Sequence, residues 1–130
     1  MQNESEIQQL IQIEAARQGT ILLRNNSGAL TDKEGRLIRY GLGHTSNNQQ
    51  TKSSDLIGIT TITITKEMVG STIGVFTAIE VKSPNWKFGK TLNERERHQK
   101  NFIDWVISRG GIAGFANSID SFRDLIKNRI

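Results

Sequence analysis

The stretch that most constrains this chain is IGVFTAIEVK at residues 73–82, which is rich in β-branched residues and is followed by Ser83 and Pro84. Such a run predicts a β-strand. Because side chains alternate between the faces of a strand, Glu80 and Lys82 are expected to point the same way. Taking a carboxylate and an ammonium out of water is unfavourable. The pair is therefore either an ordinary ion pair or part of a chemical site.

The composition is that of one small domain. A chain of 130 residues, of which 35% are hydrophobic, can bury a single core, so we expect one domain over residues 1–130. No segment approaches the ~20 apolar residues that cross a bilayer, and the N-terminus lacks a signal-peptide pattern. We therefore expect no membrane segment and a cytoplasmic location. The absence of cysteine excludes disulfides, thiolate metal sites and a cysteine nucleophile.

The charge balance is mildly basic. The formal net charge of +4 suits a polyanionic partner such as nucleic acid, and it is also compatible with a protein that is merely soluble. The basic residues do not form a terminal tail, which would indicate a disordered arm. Charge alone therefore leaves both interpretations open.

Periodicity and turn residues predict a mixed α/β order, α-β-β-β-β-β-α-β-α. The predicted elements are a helix at 4–18, a strand at 20–24, a hairpin at 30–40, a loop at 41–54, a strand at 56–65, a turn at 66–68, a strand at 73–82, a helix at 92–108, a strand at 112–116 and a last helix after Ser118. Thr91 and Glu94 have the spacing of a capping box at the start of the second helix. The strands at 56–65 and 73–82 are expected to pair as a β-meander.

Two polar residues fall on predicted apolar faces. Glu14 is at helical spacing from three apolar residues of the first helix, and Gln99 bears the same relation to three apolar residues of the second. We therefore expect both side chains to face the sheet. The alternative is that each lies at the edge of its stripe and reaches water.

Asp55 stands at the start of the predicted strand 56–65. In a meander whose turn is centred near residue 67 or 68, this position falls opposite Glu80. Two neighbouring carboxylates repel each other unless a cation joins them, and oxygen ligands favour Mg²⁺ or Mn²⁺ over Zn²⁺. Taken alone, an aspartate at this boundary is also a common turn residue.

The ordered set of Glu14, Asp55, Glu80 with Lys82, and Gln99 resembles the PD-(D/E)XK nuclease superfamily, and within it the small standalone members of the VRR-NUC (virus-type replication-repair nuclease) family. The likeness extends from Glu14 to about residue 116. Ser54 stands where the family usually has a proline, a position that shapes a turn and supplies no ligand. A glutamate and a lysine two positions apart are weak evidence for this family, because the pair occurs by chance in many proteins. The complete ordered set of residues is fairly specific to it.

The resemblance implies a restriction-endonuclease-like α/β core, in which helices flank a central mixed β-sheet. It implies a Mg²⁺ site, in which Mn²⁺ would substitute, and its implied ligands are Glu14, Asp55, Glu80 and the Val81 carbonyl. Lys82 would orient or deprotonate the attacking water and offset charge on the phosphate. Gln99 would maintain the geometry of the site.

DNA contacts are expected from basic residues near the Glu80 end of the sheet. The candidates are Lys52, Lys87, Lys90, Arg95, Arg97 and Lys100. Each is equally compatible with a solvated surface. Trp86 and Phe88 are candidates to stack on an unpaired base or to wedge a junction. The alternative, which is the commoner role of such residues, is that they pack their own loop or a dimer interface.

The expected function is that of a Mg²⁺-dependent, structure-specific DNA endonuclease that resembles Holliday-junction resolvases. Two symmetric cuts in a four-way junction imply a homodimer with two active sites. The alternatives are a flap or general replication-repair nuclease, a non-catalytic nucleic-acid-binding module, and a scaffold protein. If the gene is phage-encoded, the expected location is the cytoplasm of the bacterial host.

Overall fold

The computed structural model describes residues 3–25, 28–40, 42 and 54–127 as a mixed α/β protein. The predicted loop at 41–54 lies outside these ranges, except for Leu42 and Ser54. The elements are α1 (Glu4–Arg17), β1 (Thr20–Arg24), β2 (Gly28–Thr31), β3 (Leu37–Tyr40), β4 (Leu56–Thr60), a 3₁₀ turn (Lys66–Met68), β5 (Thr77–Val81), α2 (Glu94–Ser108), β6 (Ile112–Ala116) and α3 (Ile119–Lys127). This order is the predicted one. The longest of these helices has 15 residues, and within the described ranges none is both long and apolar enough to cross a bilayer.

The chain divides into two compact units, Met1–Thr60 and Thr61–Ile130. In the first unit, β1 pairs antiparallel with β4 in a register that aligns Thr20 with Thr60. Their hydroxyl oxygens are 2.8 Å apart. Helix α1 packs on β1, where the Gln12 amide donates to the Leu22 carbonyl at 3.2 Å. Whether residues 1–130 form a single domain stays a prediction.

The predicted hairpin is confirmed as β2 and β3, which pair antiparallel. Its turn is organised by Asp32, whose carboxylate accepts from the backbone N–H groups of Arg36 at 2.8 Å and Glu34 at 3.0 Å. These bonds, of which the one from the Arg36 backbone N–H has the largest effect, hold the pKa of Asp32 below its usual value. Gly35 takes a φ of 81°, a left-handed conformation that suits a glycine.

The predicted meander is wrong. β4 ends at Thr60 instead of residue 65, and it pairs with β1, whereas β5 pairs in parallel with β6. Ile62 and Ile64, which completed the alternating pattern, are 54% and 66% exposed. Because strand formation depends on packing of one face, this segment is not stabilised as a strand. The described strands form three two-stranded sheets, and the single central sheet is not among them.

The expected alignment of Asp55 with Glu80 fails for the same reason. Leu56, the first residue of β4, aligns with Arg24, and Glu80 aligns with Phe115 of β6. The reflection through a turn near residue 67 assumed that consecutive strands pair with each other. Here β5 is joined to its partner by a helix, as parallel pairing requires.

The second unit is built around this β5-α2-β6 crossover. Its buried hydrophobic residues among those described come from α2 and β6 and are Ile103, Val106, Ile112, Ala113 and Ala116. Helix α3 packs on the face of β6 that carries Gly114, where a Cβ atom would meet a Leu125 methyl carbon at 2.5 Å. Glu80 and Lys82 are turned towards α2, where both side chains contact Gln99.

Helix α2 begins at Glu94, two residues later than predicted. Its capping box is formed by Asn93 and Glu96 rather than by Thr91 and Glu94. Asn93 accepts from the Glu96 backbone N–H at 2.8 Å, and Glu96 accepts from the Asn93 backbone N–H at 3.0 Å. Asparagine is at least as good an N-cap as threonine, and Glu96 gains further partners that an exposed Glu94 does not have.

Candidate functional site

A chain of hydrogen bonds joins three of the predicted site residues in the second unit. The Lys82 Nζ donates to Gln99 Oε1 at 2.6 Å, and Gln99 Nε2 donates to Glu80 Oε1 at 2.7 Å. Glu80 and Lys82 extend from the same face of β5, and Gln99 reaches them from α2. The predicted inward orientation of Gln99 is therefore confirmed.

Glu80 and Lys82 do not pair directly with each other. Among the described residues, neither side chain takes part in an ion pair within 4.0 Å. The neutral amide of Gln99 lies between them instead. An ordinary structural ion pair, which was one interpretation of this strand, does not account for the arrangement.

The chemistry of the two ends fixes the orientation of the Gln99 amide. A lysine side chain only donates hydrogen bonds and a carboxylate only accepts them. The amide must therefore turn its oxygen to Lys82 and its nitrogen to Glu80, and the reversed amide would lose both bonds. This polarity leaves the lysine with two further N–H groups, and it leaves Glu80 Oε2 without a protein hydrogen bond in the described part of the chain.

Two aromatic rings flank the amine of Lys82. Its nitrogen lies 5.4 Å from the ring centroid of Phe115 and 6.0 Å from that of Trp86. These two rings contact each other at a centroid distance of 4.8 Å. Ring faces attract a cation at such distances. Within the described ranges, Lys82 is therefore held by an amide and two rings and has no carboxylate at ion-pair distance.

Glu96 is a buried acid that the sequence did not single out. It is 4% exposed, and all of its contacts are with donors. Trp86 Nε1 donates to it at 2.6 Å, Lys90 Nζ lies 3.0 and 3.1 Å from its two oxygens, and the Asn93 backbone N–H completes the set. The signal that could have found it is the second capping-box spacing, from Asn93 to Glu96.

The same contacts give a pH prediction. The Asn93 backbone hydrogen bond, then those of Trp86 and Lys90, lower the pKa of Glu96 from 4.5 to about 2. Because the pKa is lower in the folded protein, the carboxylate stabilises it above pH 4.5, and this contribution is lost as the pH falls towards 2.

We expect the stability difference between the wild type and Glu96→Gln to be largest above pH 4.5 and to shrink between pH 4.5 and 2. Denaturant unfolding followed by tryptophan fluorescence measures it, since Trp86 and Trp105 both lie in the second unit. A difference that stays constant over this pH range would contradict the lowered pKa. Glu94→Gln, on the same helical turn but exposed, is the matched control.

The two remaining predicted acids lie in the first unit. Glu14 is exposed on α1, where it accepts a weak 3.4 Å hydrogen bond from Gln18, so its predicted inward orientation is wrong. The apolar residues of its stripe, Ile7, Leu10 and Ile11, are themselves 41 to 50% exposed, so helical spacing marked a face that is not deeply buried. Asp55 is exposed at the start of β4, and its backbone carbonyl accepts from the Asn25 N–H at 2.9 Å.

The donor set fits a hard cation in kind. Carboxylates and a backbone carbonyl are the ligands that Mg²⁺ prefers, and one oxygen of Glu80 is available. Within each unit taken alone, however, no three acidic or histidine side chains of the described residues are grouped to hold a metal ion. Of the predicted ligands, Glu80 and the Val81 carbonyl belong to the second unit, and Glu14 and Asp55 belong to the first.

No family model, curated protein or solved structure matches this chain.

The predicted DNA-contacting residues differ in how far they are engaged within the protein. Lys90 pairs with Glu96, Lys100 pairs with Asp104 at 2.6 Å, and Arg97 donates to the Leu92 carbonyl at 3.1 Å. The side chains of Lys87 and Arg95 are exposed and make no hydrogen bond or ion pair within the described residues. Lys52 lies outside these residues.

The loop after β5 carries two aromatic rings, of which Phe88 is exposed and Trp86 is held by contacts within the protein. Trp86 is half-buried, and the Asn117 amide donates to its backbone carbonyl at 3.1 Å. Phe88 packs edge-on against Trp86 at a centroid distance of 5.1 Å, yet it remains 55% exposed. Of the two predicted stacking residues, Phe88 is the more exposed.

An open groove of about 580 Å³ lies on the α3 side of the same sheet edge. Its walls are mainly apolar and include Ile79, Val81, Ile119 and Phe122, and no carboxylate lines it. Lys82, which lies at one end of the hydrogen-bonded chain, also lines this groove, so the two features share that residue.

Proposed function

We propose that this protein is a Mg²⁺-dependent DNA endonuclease that hydrolyses phosphodiester bonds in branched DNA. The observation that carries the proposal is the Lys82–Gln99–Glu80 hydrogen-bond chain, in which an acid and a lysine share one strand face without pairing. A structural ion pair would bring the two charges together. A hydrolytic site keeps both available to substrate and water.

The roles of the three residues follow from their contacts. Lys82 keeps N–H groups beyond the one given to Gln99, and these can orient a water molecule and offset charge on a phosphate oxygen. Gln99 holds the lysine and the acid at a fixed separation through one rigid amide. Glu80 retains one oxygen for a metal ion or for a water.

Bound Mg²⁺ would supply Lewis-acid activation of water and stabilisation of the leaving oxygen. Within the second unit, the groups proposed to hold it are the Glu80 carboxylate and the Val81 carbonyl. Their oxygen chemistry suits Mg²⁺ and also Mn²⁺.

The proposed architecture is that of the PD-(D/E)XK nucleases and their VRR-NUC family. The β5-α2-β6 crossover, with the acid and lysine at the end of β5 and the glutamine on α2, supports it. Resolution of a four-way junction would further require two copies of the site, hence a homodimer. Flap or general repair cleavage is the alternative within the same chemistry.

The test is to incubate the purified chain with a labelled four-way junction, a flap and a plain duplex, each in Mg²⁺ and in EDTA. We expect Mg²⁺-dependent cleavage of the branched substrates in preference to the duplex. Binding without cleavage in Mg²⁺ would favour the nucleic-acid-binding module. Absence of both would exclude the whole class.

Phe88→Ala is expected to weaken binding to DNA that contains unpaired bases, while duplex binding changes little. Stacking of a base on an aromatic ring is worth about 1–3 kcal/mol, so the affinity should fall roughly 5- to 150-fold. Fluorescence anisotropy with single-stranded and duplex oligonucleotides in EDTA measures both.

Ile119→Ala is the control for this variant, because Ile119 is an exposed apolar residue of the same unit at 71%. An equal loss for both oligonucleotides, or for both variants, would contradict a stacking role for Phe88.

A further inference from the structure

Among the described residues Lys82 has no carboxylate partner, so other contacts fix the position of its nitrogen there. One bond to Gln99 and the faces of Phe115 and Trp86 are the contacts it makes in the described residues. Phe115 belongs to β6 and is placed by the strand register opposite Glu80. Trp86 lies on a loop, so its position depends on contacts of that loop.

The Asn117 amide holds the backbone of this loop by donating to the Trp86 carbonyl at 3.1 Å, and Glu96 holds the Trp86 ring. The indole N–H of Trp86 donates to Glu96 Oε2 at 2.6 Å, and Lys90 approaches the same carboxylate while lying 5.9 Å from the Trp86 ring centroid. Because Glu96 is in the first turn of α2, one helix supplies both the anchor for Trp86 and the amide of Gln99. The helix thus positions Lys82 from two sides.

A carboxylate is specifically required at this position. One oxygen of Glu96 accepts the Asn93 backbone N–H and the other accepts the Trp86 indole, with Lys90 close to both. Glutamine could satisfy one side only, since its amide nitrogen would then face a second donor. Leaving a buried donor unpaired is unfavourable, so the loop should shift in Glu96→Gln.

We propose that Glu96 is a positioning residue for Lys82: it holds Trp86 so that this ring and Phe115 enclose the lysine nitrogen beside Gln99. The catalytic consequence depends on the proposed nuclease function, whereas the positional one does not. Misplacement of a reacting group by about 1 Å can lower a rate by about 100-fold. Glu96 therefore influences the reaction without touching the substrate.

The position of Lys82 can be measured directly by NMR. Protons above an aromatic ring face are shifted upfield, so the Lys82 ε-methylene protons report on Trp86 and Phe115. In Glu96→Gln and Trp86→Phe we expect these resonances to move towards the values of an unrestrained lysine. Lys90→Met, which keeps the indole bond to Glu96, should produce a smaller change. Glu94→Gln, the same substitution at an exposed position, should produce none.

Cleavage kinetics form the second arm. Glu96→Gln and Trp86→Phe should lower kcat about 10- to 100-fold with little change in KM, while Glu94→Gln cleaves like the wild type. If Glu96→Gln does not fold, Trp86→Phe and Lys90→Met carry both measurements.

A Lys82 resonance that stays in place while the Trp86 indole N–H resonance moves would overturn the proposal, as would unchanged kcat in a cleaving enzyme. If the wild type does not cleave, the nuclease function fails. The NMR result still decides whether Glu96 positions Lys82.

Discussion

Lys82→Ala is expected to lower the rate of Mg²⁺-dependent junction cleavage by about 10²- to 10⁴-fold, the range found for removal of a general acid–base group or of an electrostatic stabiliser. The substitution removes the amine that donates to Gln99, and Gln99 in turn donates to Glu80. DNA affinity should stay within a few-fold, because the exposed Lys87 and Arg95 remain. Single-turnover cleavage and anisotropy in EDTA separate the two effects.

Lys127→Ala is the control for this variant, since it removes one positive charge from the exposed last turn of α3. It should cleave like the wild type. Normal turnover by Lys82→Ala would exclude the role assigned to Lys82, and an equal loss of binding and cleavage would make it a DNA contact instead.

Gly58→Ala is expected to destabilise the first unit by about 3 kcal/mol. Gly58 lies opposite Leu22 in the pairing of β1 with β4. A methyl group there would overlap the Ile21 carbonyl oxygen and lie 2.8 Å from its carbonyl carbon and 2.9 Å from the Leu22 Cα. These are backbone atoms, so the strands themselves must separate.

Amide hydrogen exchange of β1 and β4 measures this loss. Gly74→Ala is the matched control because a Cβ there has no neighbour within 4 Å and the residue does not have a left-handed φ. It should change stability by less than about 1 kcal/mol, and in the stabilising direction. Similar protection of the strand amides in Gly58→Ala and the wild type would contradict the close approach of the two backbones.

Local structure was largely predictable from the sequence. The hairpin around Asp32 and Gly35 and the limits of β1 and β6 agree with their turn residues and β-branched runs. Such features depend on interactions between neighbours in the chain. The N-cap of α2 was misplaced because Thr91–Glu94 and Asn93–Glu96 share one spacing, and only tertiary contacts with Trp86 and Lys90 favour the second.

Strand pairing was not predictable in the same way. The alternation at residues 61–65 suits a strand, but its isoleucines are not buried, and strand formation depends on packing against a partner. The choice between a meander and a β5-α2-β6 crossover is a long-range one that no turn signal records. Because the predicted strand pairing was wrong, Asp55 was expected opposite Glu80, and the observed registers do not place it there.

The candidate site was predicted in part for a similar reason. Strand alternation placed Glu80 with Lys82, and helical spacing turned Gln99 towards them; both are confirmed. The same helical rule failed for Glu14, because α1 has no buried residue among those described. Glu96 was missed because a capping position gives no hint of the indole and ammonium that reach it.

The most direct test of the central claim is the Mg²⁺ dependence of junction cleavage by the wild type and by Glu80→Gln. Glutamine can still accept the bond from Gln99 through its amide oxygen, so the hydrogen-bonded chain is kept while the charge is lost. We predict cleavage by the wild type in Mg²⁺, none in EDTA, and loss of cleavage by Glu80→Gln at every Mg²⁺ concentration. A wild type that does not cleave would contradict the proposal that this protein is a phosphodiesterase. A Glu80→Gln variant that cleaves normally would contradict the role of Glu80 in its site.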